Sequence, residues 1–298
     1  MALVTAQRTE QVLEAMNYYF GGKHCLKMTV DGSAPDSSYF LVNYIDENHE
    51  EVEGYIWLNE AGSDPAPAGK TLLQEISVTD LTDASGTASE IAAGMSANVY
   101  VSASVSGVEV TLENKYLGEV TAWADFDTGY TFEVLAEGFG GSLGSAALGG
   151  STLTTSEEVV DIQSDQTGAI ILDQISRGVA LSLEVTLLEM TQERWESLIG
   201  KVSGDIETIG SDDLVGYGTS KLYRSKFDFA GMLVMHPIRL ANTDRSADVV
   251  IHKTAPQMNS INYSGQDVQG AEFTFSAYKD ATKPDSVNLM SRGDYTLL

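Results

Sequence analysis

One stretch limits the fold of this chain more than any other. Residues 138–150, GFGGSLGSAALGG, hold six glycines in thirteen positions. Glycine loses the most backbone freedom on ordering, so this run predicts neither a stable helix nor a packed strand. It reads as a Gly-rich linker over residues 139–150 and a boundary between two differently built halves. The charge distribution agrees. Residues 1–140 hold 5 basic and 22 acidic residues, net −17, whereas residues 141–298 hold 12 and 21, net −9. A length of 298 residues is comfortable for two domains.

The whole chain carries 17 basic and 43 acidic residues, a formal net charge of −26. A surface this acidic repels phosphate, which argues against tight nucleic-acid binding and against docking on an anionic membrane. It favours solubility and suppresses premature association. The single cysteine, Cys25, allows no internal disulfide and no cysteine metal cluster. No apolar run approaches the roughly 20 residues that span a bilayer. The opening MALVTAQRTEQ turns polar at once and lacks the apolar segment of a signal peptide. The expectation is a soluble protein made in a cytoplasm.

Residues 1–25 read as a helical arm. Val12, Leu13, Met16, Tyr19 and Phe20 fall on one face at a period of 3.6, and Gly21-Gly22 ends it. The stripe serves either core packing or docking on a neighbouring subunit. Residues 26–138 read as an α+β accessory domain, roughly βββαβββ. Its strands are Tyr39–Tyr44, Val52–Leu58, Thr71–Thr79, Tyr100–Val105, Val108–Glu113 and Tyr130–Ala136. A helix begins at Thr87, with Glu90 at capping-box spacing. Residues 151–298 read as a β-sandwich or barrel with one short helix. Its strands are Glu157–Gln163, Val179–Met190, Phe227–His236, Ala247–Lys253 and Gly270–Tyr278. The cleanest alternation is Val179, Leu181, Leu183, Val185 and Leu187 against Ser182, Glu184 and Thr186. Thr191 caps a short helix carrying Trp195, Leu198 and Ile199. Asp205–Ser220 reads as a long acidic loop.

No convergent chemical site appears in the sequence. His24, His49, His236 and His252 show no metal-ligand spacing and read as ordinary polar contacts. Gly140-Gly141-Ser142-Leu143-Gly144 fits G-x-S-x-G, but GSAALGGS is a poor helix, so a nucleophile elbow is not expected. Adjacent pairs such as Glu157-Glu158 and Asp212-Asp213 face opposite sides of a strand. No phosphate-binding glycine loop and no EF-hand spacing is present. The reading is a building block with no cofactor and no catalytic or metal-binding residues.

The C-terminal half resembles the tail tube (major tail) proteins of long-tailed phages. The likeness rests on features in order: TSEEVVDIQ leading into Ser164–Gly168, Gly178, the strand ending Leu187-Leu188-Glu189, then Thr191 and ERWESLIG. Leu233-Val234-Met235-His236-Pro237, Phe273–Tyr278 with Asp280, and Gly293-Asp294 follow. The N-terminal half resembles a small α+β module that recurs in phage structural proteins. There the likeness lies in Tyr55–Leu58, Thr87–Ala92, Val101–Thr111 and Thr128–Phe132.

The resemblance implies a β-sandwich subunit that joins sheets sideways, typically six to a ring, around an inner β-barrel. Rings stack into a tube with an acidic bore through which DNA passes without tight binding. Its partners are itself and other tail proteins: tape measure, terminator, and distal tail or baseplate. The place of action is the virion tail, and the accessory domain is expected on the outer surface. The residues expected at contacts between rings or subunits are Asp205, Asp212, Asp213, Lys221 and Arg224 around the long loop. Val12, Leu13 and Met16 of the arm are the others. Plain solvent exposure of that loop is the other reading. The alternatives are a different virion component (tail terminator, distal tail ring or head decoration protein) and a surface glycan-binding β protein. The latter would present Trp57, Trp123 and Tyr130 as an aromatic platform.

Overall fold

Alternation of apolar and polar side chains governs most of the chain, and the outcome is a mainly β protein. The computed structural model describes residues 16–32, 34–121, 123–163, 171–188, 190–200, 206–209, 212–215, 222–262 and 270–297. The first nine strands are β1 (Met16–Gly22), β2 (Cys25–Thr29), β3 (Tyr39–Ile45), β4 (Glu51–Asn59), β5 (Thr71–Ser77), β6 (Val101–Ser106), β7 (Glu109–Asn114), β8 (Ala124–Phe126) and β9 (Thr131–Ala136). Helix α1 (Ala84–Met95) lies between β5 and β6. Two long strands follow, β10 (Phe139–Gln163) and β11 (Ile171–Leu188), then the short helix α2 (Gln192–Trp195). The last strands are β12 (Ile206–Ile209), β13 (Asp212–Val215), β14 (Gly231–Pro237), β15 (Val249–Asn262), β16 (Gly270–Ala277) and β17 (Met290–Arg292).

Six of these strands close a barrel. The order is β14-β1-β10-β11-β16-β15, every neighbouring pair is antiparallel, and β15 returns to β14. Strand β17 continues the line of β16 along β15. Inside lie Tyr18, Phe20, Leu183, Leu187, Phe273 and Phe275, with Leu198 and Ile199 packed on them from the turn that follows α2. Thr191 opens α2, its Oγ1 accepting from Arg194 N–H at 3.4 Å.

Residues 23–138 form the second body. One sheet runs β6-β7-β2-β9, the other β5-β4-β3-β8, with α1 closing the core between them. The chain leaves the barrel at Gly22 and re-enters at Phe139, and these two residues are strand partners. The module is thus inserted into the barrel between two adjacent antiparallel strands.

Several sequence expectations are corrected. The stretch read as a helical arm holds strand β1 from Met16 on, while Val12 and Leu13 lie outside the described residues. The apparent helical stripe comes from burial on both faces. Tyr18 and Phe20 point into the barrel, and Tyr19 points toward the inserted module. The glycine-rich stretch is no linker but the start of β10. Its glycines permit a tight crossing. A Cβ on Gly140, whose φ is +82°, would sit 2.0 Å from the Phe20 carbonyl oxygen, and one on Gly21 would sit 1.9 Å from that of Phe139. Helix α1 starts at Ala84, capped by Asp83, whose Oδ1 accepts from Ser85 N–H at 3.1 Å. Thr87 is buried within it and donates to Asp80 O at 3.2 Å, while Glu90 accepts from Thr79 N–H at 3.0 Å. Part of the expected loop at 205–220 is the hairpin β12–β13.

Candidate functional site

Strands β10 and β11 are far longer than the barrel needs. Strand β1 covers the outer edge of β10 only as far as Ser145, and β16 covers β11 only from Ser182 on. Beyond those points Ser151–Gln163 and Ile171–Leu181 pair only with each other among the described residues. This two-stranded ribbon is about 40 Å long at 3.3 Å per residue. Leu153, Val159, Ile162, Ile171, Ile175 and Val179 stand exposed along it. An isolated two-stranded hairpin is at best marginally stable in water, so a ribbon with apolar side chains in solvent is a surface built to be covered.

The ribbon continues a four-stranded wall, β10-β11-β16-β15. Its inner face carries Leu183, Val185, Phe273 and Phe275, all buried. Side chains paired across strands share a face, so the register fixes the other face in rows. One row is Thr152, Glu184, Thr274 and Gln257, and the next begins Thr154, Ser182 and Ser276. A third holds Thr186, Glu272 and Ser260. These rows contain hydroxyls, amides and the carboxylates Glu184 and Glu272; at the β15 end the second row closes on the buried Ala255, and Lys226 Nζ donates to Gln257 Oε1 at 2.7 Å. Ser260 donates to Glu272 at 3.0 Å and Asn259 to Thr274 at 2.8 Å, which holds the surface polar groups in place. Both outer strands of the wall have unpaired stretches among the described residues: β10 from Ser151 on, and β15 beyond Thr254 on the side where β14 ends.

Away from the wall, the inserted module packs against β1, β14 and the first residues of β15, which pair with β14 before β16 begins. Tyr19, Val234 and Val250 meet Ile45, Leu117 and Val120 there. Polar groups tie the same seam. His236 Nδ1 lies 2.6 Å from Asp248 Oδ1, both side chains fully buried. Arg245 Nη1 sits 3.5 Å from Asp248 Oδ2, and its Nη2 donates to Glu47 O at 3.0 Å. The guanidinium also lies 4.7 Å over the Tyr116 ring and 5.6 Å over that of Tyr295. Burial raises the Asp248 carboxyl above its ordinary range, opposed by the hydrogen bond from His236. Burial lowers His24 and His252 and pushes His49 down to about 4.

Of the residues expected at contacts, the described ones stand on separate elements. Met16 is half-buried on β1 opposite Pro237 and packs against the barrel core. Asp212 and Asp213 sit on β13 opposite Ile209 and Thr208. Arg224 is exposed and caps the Phe229 ring at 4.4 Å. Asp205 and Lys221 lie outside the described residues. Trp57, Trp123 and Tyr130 offer no platform, since each is at least 92% buried in the module. Ser142 stands inside β10 opposite Tyr19, and the chain continues there as strand. Sequence reasoning missed the wall and ribbon, although the polar face was written in Ser182, Glu184 and Thr186. It read the histidines as ordinary contacts and so missed His236–Asp248, whose partners are twelve residues apart.

Compared with known proteins, the chain matches no protein-family model, and a search of curated proteins finds no significant similarity.

Proposed function

We propose that this chain is a structural subunit of a phage tail that joins copies of itself, edge to edge, into the stacked rings of a tail tube. The supporting observation is the wall β10-β11-β16-β15: apolar inside, polar and acidic outside, with unpaired backbone along both outer strands. Pairing β10 of one copy with β15 of the next is a head-to-tail contact, which closes into a ring where the rotation allows. It satisfies the backbone donors and acceptors that an exposed edge leaves open. The rows containing Glu184 and Glu272 then face the bore, where carboxylates repel the DNA backbone and let it slide. The inserted module, packed away from the wall, stands on the outer surface. The ribbon reaches toward the adjacent ring. Ring number follows the tail-tube resemblance, six subunits each, and the partners are the other tail proteins. The role is structural, without catalysis.

Disulfide trapping tests the edge pairing. In a Cys25→Ser background, cysteines replace Thr154 or Ser156 on β10 and Gln257 or Asn259 on β15. Two strands separate these edges within one copy, about 14 Å at 4.8 Å per strand, so no internal bond forms. The expected result is a ladder of linked oligomers from at least one combination, with hollow rings or tubes by electron microscopy. Monomers from every combination, under conditions where the unaltered chain forms tubes, would sink the edge pairing.

A further inference from the structure

The seam between the inserted module and the barrel contains a group whose charging it does not accommodate. The turn Asp46–Glu50 is tightly tied: Asp46 Oδ1 accepts from Asn48 N–H at 2.8 Å and Glu50 N–H at 2.9 Å. It holds His49 at a φ of +63° and aims the ring at the barrel. The imidazole stacks on Tyr19 of β1 at 4.0 Å and 17°, and Tyr116 of the module meets its edge at 5.8 Å. Nδ1 donates to Leu117 O at 2.9 Å, so the neutral ring leaves Nε2 as an acceptor. Nε2 is buried and has no hydrogen-bond partner among the described residues. A proton placed there has no acceptor to receive it.

The surrounding charges do not rescue the cation. On its own turn, Asp46 favours it. From the barrel side, Arg245 and His236 oppose it, and Arg245 is already engaged by Asp248, Glu47 O and the faces of Tyr116 and Tyr295. Tyr19 and Tyr116, the rings in contact, are neutral at any pH where histidine titrates.

We propose that His49 makes this seam an acid-sensitive joint: protonation at Nε2 expels the ring from the Tyr19 stack and frees the inserted module from a barrel that stays folded. The inference does not depend on tube assembly. The direction follows from linkage. The closed seam holds His49 at about 4, and the released ring returns to about 6.5. The open form therefore binds more protons between those values. Stability of the seam is complete above pH 6.5 and falls as pH drops toward 4.

Hydrogen exchange on the full chain, from pH 7 to pH 4, tests this. Gly118 N–H donates to Gly22 O at 3.3 Å across the seam and serves as the reporter. After correction for intrinsic exchange, its protection is expected to fall on the order of a hundredfold, the factor set by roughly two pKa units. Amides of the β11–β16 ladder, such as Leu183 and Phe275, keep theirs. In H49Q, which retains a neutral donor but cannot titrate, the acid-dependent loss disappears. Opening of H49Q at the same pH as the wild type would assign the effect to His24, His252 or Asp248 and overturn the proposal. Should H49Q fail to fold, the wild-type ring decides by NMR titration: a midpoint well below 6 supports the joint, and one near 6.5 overturns it.

Discussion

Asp248 illustrates how much of this molecule turns on single buried groups. Its carboxylate stands between His236 and Arg245, and all three side chains are nearly free of solvent. Removing one member of such a set leaves the others desolvated and unpaired. Asp248→Ala is therefore expected to lower unfolding free energy by about 3–5 kcal/mol, measured by urea titration. Asp248→Asn, which keeps an acceptor for His236, should lose less. Arg245 and Asp248 share one turn, but the His236–Asp248 pair was illegible in the sequence because its members approach only after β14 and β15 align. At this scale the legible features were the alternating ones. Leu181, Leu183, Val185 and Leu187 were read as one face, and all four are buried. Val179 was placed with them, yet it is 58% exposed, because the alternation runs past the barrel into the ribbon.

Among the elements, β10 and β11 carry the functional argument. The ribbon contributes little to the barrel's own core, so excising it separates folding from assembly. Replacing residues 158–178 with Asn-Gly joins Glu157 to Val179, which already face each other across the hairpin. The shortened chain keeps Thr154 and Ser156, so it is expected to melt within a few degrees of the full one and to stop at single rings in sedimentation under conditions where the full chain forms stacked tubes. Stacked tubes from the shortened chain would remove the ribbon tip from the contact between rings. The sequence disclosed the strand at Glu157–Gln163 but not its beginning at Phe139, because glycine content was weighed as local flexibility. The cost of ordering Gly21 and Gly140 is offset by a backbone approach that no side chain would permit. Helix α1 was found at nearly its true place from the spacing of Ile91 and Met95, although its cap is Asp83 and not the expected Thr87. Strand β1 was misassigned for a different reason. A short apolar run buried on two faces has no period of its own, and helix and strand readings fit it equally well.

At the scale of the whole molecule, a net charge of −26 is matched by a wall whose polar rows carry the carboxylates Glu184 and Glu272, with Lys226 meeting them at the Gln257 end. Reversing the wall's sign should leave the fold intact and, in the proposed tube, alter how the bore treats DNA. Glu184→Lys with Glu272→Lys is expected to shift stability by about 1 kcal/mol or less in total. Assembled rings of the double variant should retain DNA in a salt-dependent way, as a filter or mobility assay would register. Rings of the unaltered chain should release it. The fold class was legible from pattern and composition, whereas the connectivity was not, since nothing in the order of residues announces that β1 and β10 embrace everything between them.

That embrace has an engineering consequence. Residues 23–138 begin and end at Gly22 and Phe139, strand partners in neighbouring strands. A replacement cassette would need only termini about one strand spacing apart, near 5 Å, to be spliced without disturbing the barrel's register. The cover over Tyr19, Val234 and Val250, and partners for Arg245 in place of Glu47 O and the Tyr116 ring, would have to be supplied anew. The scaffold is thus a display platform, and its cargo is interchangeable wherever a newcomer brings an apolar footprint to that patch.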